Sequence, residues 1–278
     1  MKDEPGFDVA REPRRSRRRR RRGDERRGFA HLLPHLLTTG NLAAGFYSIT
    51  LSASGQLDRA ALALIFAGIC DLLDGRAARM ANATSRFGAE YDSIADSVSF
   101  GIAPALLAFR AGALQELGWT GWVLAFLYAA CAALRLARFN VSPGRYHGRF
   151  EGLPSPAAAG MILSSVWFGG FLAESGLPLG VPAGLAGMGV ALVGVLMVSP
   201  VPYRSFKEIR LPRSQSTVVL MVIVFAVILS KPSVTLFLVG LGYVASGPAE
   251  MIWRWRTGQS LEELVREPTP HETRGTPS

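Results

Sequence analysis

The stretch Asp71-Leu-Leu-Asp74-Gly75-Arg76-Ala77-Ala78-Arg79, followed by Gly88-Ala-Glu-Tyr-Asp92-Ser-Ile-Ala-Asp96, decides how the rest of the chain is read. Asp71 and Asp74 are three residues apart, and Asp92 and Asp96 are four apart. Each pair therefore shares one helical face, with Cβ atoms about 5–6 Å apart. Asn82, Thr84 and Ser85 interrupt the apolar pattern around Met80–Phe87, which predicts a break between two antiparallel helices. Folded back there, the two helices bring four carboxylates face to face.

Such a cluster repels itself and requires cations to be stable. Oxygen-only ligands select hard divalent ions, Mg²⁺ or Mn²⁺. Two such ions about 3.5–4 Å apart would clamp a phosphoryl group between attacking and leaving oxygens. Gly75 and Ala78 leave room for a ligand near the backbone, and Arg76 and Arg79 can neutralise phosphate. The ordinary alternative is a set of Asp–Arg pairs stitching helix ends together, for which Arg76, Arg79 and Arg86 are available. The cost of acids at membrane depth favours the functional reading.

Working outward, the flanks are apolar. The chain is 49% hydrophobic and only 18% charged, against about 25% charged in a soluble domain. Its charge is concentrated at the two ends and in short loops. Eight apolar segments stand out, roughly 36–54, 58–73, 97–113, 119–138, 156–173, 180–200, 216–230 and 232–250. The first is the least hydrophobic, with Thr38, Thr39, Asn41 and Ser48. Only helices satisfy the backbone of such segments in lipid, so the expected fold is all-α, a polytopic transmembrane bundle of about eight spans.

Arginine and lysine orient the bundle. Arg76, Arg79 and Arg86, then Arg145 and Arg149, then Arg204, Lys207, Arg210 and Arg213, then Arg254 and Arg256 fall on one side. The loops expected on the other side are short and poor in basic residues. The positive-inside rule then puts both termini and the aspartates in the cytoplasm of a cell-membrane protein. Residues 1–30 form an Arg-rich arm that reads as disordered, 31–250 a transmembrane catalytic domain, and 251–278 a solvated tail. The arm supplies much of the net charge of +9. It suits anionic inner-leaflet lipid; it lacks the aromatic interleaving of a nucleic-acid tail, so no specific nucleic acid is expected. Cys70 and Cys131 read as reduced core thiols. The histidines, including the pair His31 and His35, show no zinc-ligand spacing. No internal repeat is evident, which weighs against an inverted-repeat transporter.

The pattern D-x2-D-G-x2-A-R-x8-G-x3-D-x3-D is filled at every fixed position by Asp71, Asp74, Gly75, Ala78, Arg79, Gly88, Asp92 and Asp96. In this the chain resembles the CDP-alcohol phosphatidyltransferases. The resemblance implies a six-helix core (here with two further spans). It also implies an enzyme that moves a phosphatidyl group from a CDP-linked lipid to an alcohol, releasing CMP. It implies that Asp71, Asp74 and Asp92 bind the metal ions, with Asp96 close by and counted as a fourth metal-site residue, and that Asp96 is the general base. By the same resemblance Gly75, Arg79 and Ser85 contact the CDP moiety. A homodimer is a further implication.

Two later stretches look like the phosphatidylserine synthase branch of that family. They are Ala133-Leu-Arg135-Leu-Ala-Arg138-Phe139-Asn140-Val141 and Phe150-Glu151-Gly152-Leu153-Pro154-Ser155-Pro156-Ala157. Pro34, Thr38, Asn41 and Gly45 fit a run of the same branch, which places Asn41 beside the lipid substrate. The matches cover residues 34–157. The implied acceptor is L-serine, a zwitterion. Arg135 and Arg138, one helical turn apart, suit its carboxylate, and Asn140 and Ser155 add hydrogen bonds. The alternatives are the same chemistry with glycerol 3-phosphate, inositol phosphate or choline, and, in another class, a cation transporter or a membrane scaffold.

Overall fold

The computed structural model describes residues 14–80, 85–141, 146, 149–176, 181–204 and 230–257, with side chains described from Leu33 onward. Helix α1 (Arg14–Ala53) runs into a tight turn and returns as α2 (Leu57–Met80). Gly55 closes that turn at φ +79°, a left-handed conformation that glycine adopts without steric cost. Helix α3 (Arg86–Asp96) passes without interruption through a π-helical stretch, Ser97–Ile102, into α4 (Ala103–Arg110). A short α5 (Ala113–Glu116) leads to α6 (Trp119–Val141). Strand β1 (Arg149–Glu151), α7 (Ser155–Glu174), α8 (Ala183–Val198), strand β2 (Pro202–Arg204) and α9 (Pro232–Thr257) follow.

The bundle is built for lipid on its outside. On α2 the buried positions are small, Ala60, Ala61, Ala67 and Cys70 around Leu64, and end at Asp74. Its large residues Leu62, Phe66, Ile69, Leu72 and Leu73 face outward and are 44–57% exposed. Small residues inside let helix backbones approach, and large apolar ones outside suit hydrocarbon, the reverse of a water-soluble helix. Among the described residues, four helical stretches, Arg86–Arg110, Trp119–Val141, Ser155–Glu174 and Pro232–Thr257, are long and apolar enough to cross a membrane. Cys70 and Cys131 are buried free thiols.

Helix α1 explains why its apolar segment is the least hydrophobic. Thr38, Asn41, Ser48 and Ser52 are all buried, so its polar stripe faces inward. Ser48 Oγ donates to the Ala60 carbonyl at 2.9 Å, and Ser99 Oγ donates to the Asn41 carbonyl at 2.9 Å. Gly45 lets the two helices meet, since a Cβ there would lie 2.2 Å from Ser99 Oγ and 2.8 Å from Ser99 Cα. Gly45→Ala is therefore expected to cost about 1–3 kcal/mol as an overpacked contact. Thermal unfolding in detergent would show it as a lowered midpoint; an unchanged midpoint would contradict the packing.

The structure departs from the sequence expectations in four places. Helix α1 begins at Arg14, so residues 14–30 of the arm, expected to be disordered, are helical. Arginine is a good helix former and the turns are nucleated by the apolar segment they join. The third span starts at Arg86 rather than near 97, because Arg86, Glu90, Asp92 and Asp96 dilute the hydropathy of its first turns. The last helix continues to Thr257, past the tail boundary at 251. Among the described residues, two three-residue strands, paired antiparallel with Arg149 opposite Arg204, Phe150 opposite Tyr203 and Glu151 opposite Pro202, join the helices. The apolar segment 216–230 lies outside the described residues except for Ser230, and residues 81–84, 145, 207–213 and 258–278 lie outside them altogether.

Candidate active site

Asp71 and Asp74 sit near the end of α2, and Asp92 and Asp96 in the last two turns of α3. Carboxylate oxygens of Asp71, Asp74 and Asp92 all lie within 4.8 Å of one another. Asp96 is not in that trio. It sits one turn beyond Asp92, within electrostatic reach of all three, at the point where the α-helix gives way to π-helical turns. Such turns are frequent at functional sites.

Helix α1 supplies the groups that hold these acids. Thr38 Oγ1 lies 3.0 Å from Asp74 Oδ2 and 3.0 Å from the Pro34 carbonyl, so one hydroxyl proton serves two acceptors. Asn41 Nδ2 donates to Asp96 Oδ1 at 2.9 Å. Asn41, placed beside the lipid substrate by its motif, thus acts on the carboxylate of Asp96. Thr38 had no role assigned from sequence, yet it lies three residues before Asn41 and so on the same helical face.

Three carboxylates this close cannot all stay ionised without a counter-charge. Asp92 Oδ1 is buried and has no hydrogen-bond partner among the described residues, an expensive state for such an oxygen. An all-oxygen donor set with an unsatisfied buried ligand atom fits a hard divalent cation. Asp71, Asp74 and Asp92 are the residues that would hold it.

Asp71, Gly75 and Arg79 recur every four residues along α2 and form one stripe beside the trio. The Arg79 guanidinium folds back, its Nη1 3.5 Å from where a Gly75 Cβ would stand. The stripe therefore offers a cation over open backbone, which suits a phosphate. Ser85 does something else. It is the N-cap of α3, its Oγ accepting from the Gly88 N–H at 2.9 Å.

Of the four residues assigned to the acceptor, the structure pairs two directly. Arg135 Nη1 donates to Ser155 Oγ at 2.7 Å, and Asp96 is among the groups whose charge Arg135 feels. Arg135 Nε is buried with no hydrogen-bond partner among the described residues. Arg138 turns instead to Glu151, with which it forms an ion pair. Asn140 Nδ2 donates to Ser93 Oγ at 2.9 Å, tying α6 to α3. Arg135, Arg138, Arg149, Phe150 and Glu151 line a cavity of about 50 Å³. Arg149 and Glu151 were given no place in the site from sequence, and no spacing rule would have joined them to Arg135.

The sequence model for CDP-alcohol phosphatidyltransferases matches residues 31–246. The chain belongs to the CDP-alcohol phosphatidyltransferase family. Among curated members, it is 37% identical over 185 residues to a CDP-diacylglycerol–serine O-phosphatidyltransferase of Helicobacter pylori, covering 65% of this chain and 75% of that protein. It is 34% identical over 239 residues to the CDP-diacylglycerol–serine O-phosphatidyltransferase of Mycobacterium tuberculosis, covering 81% of this chain and 80% of that one. An archaetidylserine synthase of Methanothermobacter thermautotrophicus is 36% identical over 173 residues, 62% of this chain and 69% of its own. The match to the CDP-alcohol phosphatidyltransferase family spans α2 and α3, where the carboxylate trio forms.

Proposed function

We propose that this chain transfers the phosphatidyl group of CDP-diacylglycerol to the hydroxyl of L-serine, giving phosphatidylserine and CMP. What supports this reading is the convergence of the Asp71, Asp74 and Asp92 carboxylates next to Gly75 and Arg79, with Asp96 one turn along and held by Asn41, together with the Arg135–Ser155 pair joining α6 to α7. The names of the relatives support serine as the acceptor.

Divalent ions, Mg²⁺ or Mn²⁺, two per site, would neutralise charge on the diphosphate when bound. The chain's own residues do the rest. Arg135 is a half-buried arginine whose Nε is enclosed and unpaired among the described residues, suited to the serine carboxylate, and Ser155 fixes its orientation. Asp96, oriented by Asn41, takes the proton from the serine hydroxyl. The serine oxygen forms a bond to the lipid-side phosphorus, and the bond from that phosphorus to the CMP oxygen breaks. CMP leaves with the electron pair, with Arg79 next to its phosphate. Asp96 then returns its proton to water, and no covalent enzyme intermediate is needed.

The same reading puts the protein in the cell membrane with about eight spans, both termini and the aspartates on the cytoplasmic side. The arginine-rich arm then lies against anionic lipid, and two copies pair as a homodimer. The test is a product panel. Purified full-length chain is given CDP-diacylglycerol with serine, glycerol 3-phosphate, inositol phosphate or choline, and lipid products are identified by mass. Phosphatidylserine from serine alone is the expected result; another lipid product in place of phosphatidylserine would reject serine as the acceptor, and cation flux without CMP release would reject the enzyme.

A further inference from the structure

The β1–β2 ribbon has three residues per strand, and an isolated ribbon of that size is not stable by itself. What holds it is the far end of α9. Glu250 collects three arginines. Arg149 Nη1 of β1 is 2.7 Å from Glu250 Oε1, Arg204 Nε of β2 is 3.2 Å from Oε2, and Arg254 Nε is 3.2 Å from Oε1. Arg149 and Arg204 are opposite each other in the ribbon, so one carboxylate binds both strands at one register position. The side chains of Glu250, Arg149 and Arg254 are only 13–15% exposed, which removes them from the weak regime of surface ion pairs.

Aromatic residues add to this attachment. Tyr203 is fully buried and its hydroxyl donates to the Val244 carbonyl of α9 at 3.0 Å. Tyr243 Oη donates to the Arg204 carbonyl at 3.2 Å. Gly247 makes the approach possible, since a Cβ there would lie 2.5 Å from Tyr203 Cζ. If α9 served only to complete the bundle, these apolar and main-chain contacts would suffice. The excess is the charge arrangement.

That arrangement points into the cavity beside Arg135. Arg149 lines this cavity together with Arg138 and Glu151, and Glu151 is the partner of Arg138. Two carboxylates thus divide the arginines between them, Glu250 holding Arg149 and Glu151 holding Arg138. With Glu250 neutralised, Arg149 loses its partner and is left two residues from Glu151, the other acid lining the cavity. Competition there would release Arg138 and change both the shape and the charge of the wall next to the Arg135–Ser155 pair.

We infer that Glu250, on α9, is a positioning residue for the acceptor pocket. It holds Arg149 out of competition for Glu151 and so keeps the arginines of that pocket in place. The inference rests on the reading of this pocket given under Proposed function. It assigns α9 a role in acceptor recognition, with Glu250 101 residues in sequence from Arg149 of β1.

The test uses full-length Glu250→Gln, Glu250→Asp, Arg149→Gln and the Glu250→Gln/Arg149→Gln double variant. Kinetics are measured with whichever alcohol the wild-type chain uses, so that an acceptor other than serine would overturn the serine reading without touching this one. Glu250→Gln is expected to raise KM for the acceptor about tenfold, the scale of one lost charge contact in binding. Its kcat and its KM for CDP-diacylglycerol should stay within about twofold, and Glu250→Asp should recover most of the loss. Arg149→Gln should raise the same constant, and the double variant should add less than the sum of the two singles. An unchanged acceptor KM in Glu250→Gln would overturn the inference. So would a joint decline of all three constants that Glu250→Asp does not repair, and for a Glu250→Gln that fails to accumulate, an unchanged acceptor KM in Arg149→Gln would do the same.

Discussion

Asp96→Asn is expected to lower kcat by about 10²–10⁴-fold, the usual contribution of a positioned general base. The amide matches the carboxylate in shape, and its oxygen can still accept from Asn41 Nδ2, the bond that orients Asp96 in the native chain. What the amide cannot do is take a proton. Because Asp96 stands outside the trio of mutually close oxygens, the variant should keep its divalent-ion requirement and a KM for CDP-diacylglycerol within a few-fold of wild type. Steady-state CMP release over a range of both substrates separates these quantities. Near-normal turnover in this variant would remove Asp96 from the role of base.

Asp92→Ala should act differently and at least as severely. It removes one of three acids whose oxygens converge, including the buried Oδ1 that lacks a partner among the described residues. Outer-shell substitutions at metal sites cost about 10–100-fold in affinity, so loss of a ligand is expected to cost about 100-fold or more. CMP release at ordinary ion concentration should fall below about 1% of wild type by that reasoning, with part of it returning at high ion concentration. The metal-free variant should be no less stable than metal-free wild type, because deleting one of several like charges relieves repulsion. An unchanged or raised unfolding midpoint, together with lost activity, would show that the loss is chemical rather than a failure to fold.

The acids were legible because helical spacing is a local property. Three and four residues between aspartates determine a shared face wherever the helix ends up. The polar residues of α1 were visible as a dip in hydropathy, and the structure supplies its cause: Thr38 and Asn41 face Asp74 and Asp96. Arg135 and Ser155 were each readable within their motifs. Their pairing was not, since it depends on how the chain between them turns back. The β1–β2 ribbon left no trace because three-residue strands are too short to show an alternating pattern. Glu250's hold on that ribbon was invisible for a stronger reason. Its i,i+4 partner Arg254 could be read from spacing, but Arg149 and Arg204 come from two strands distant in sequence. The start of the third span was misplaced because hydropathy rises only after Asp96, while the helix begins at Arg86. Ser85, Arg138 and Asn140 carry structural duties, as cap, ion-pair partner and inter-helix bond, that their place in a motif did not announce.

The measurement closest to the central claim is serine-dependent CMP release from CDP-diacylglycerol as a function of divalent-ion concentration, after chelation, for full-length wild type and Asp92→Ala side by side. The account predicts no release from chelated wild type and recovery on adding Mg²⁺ or Mn²⁺. It predicts a response curve for Asp92→Ala displaced to about 100-fold higher ion concentration or beyond. Superimposable curves, or full activity in chelated wild type, would contradict the claim that these carboxylates work by holding a metal ion.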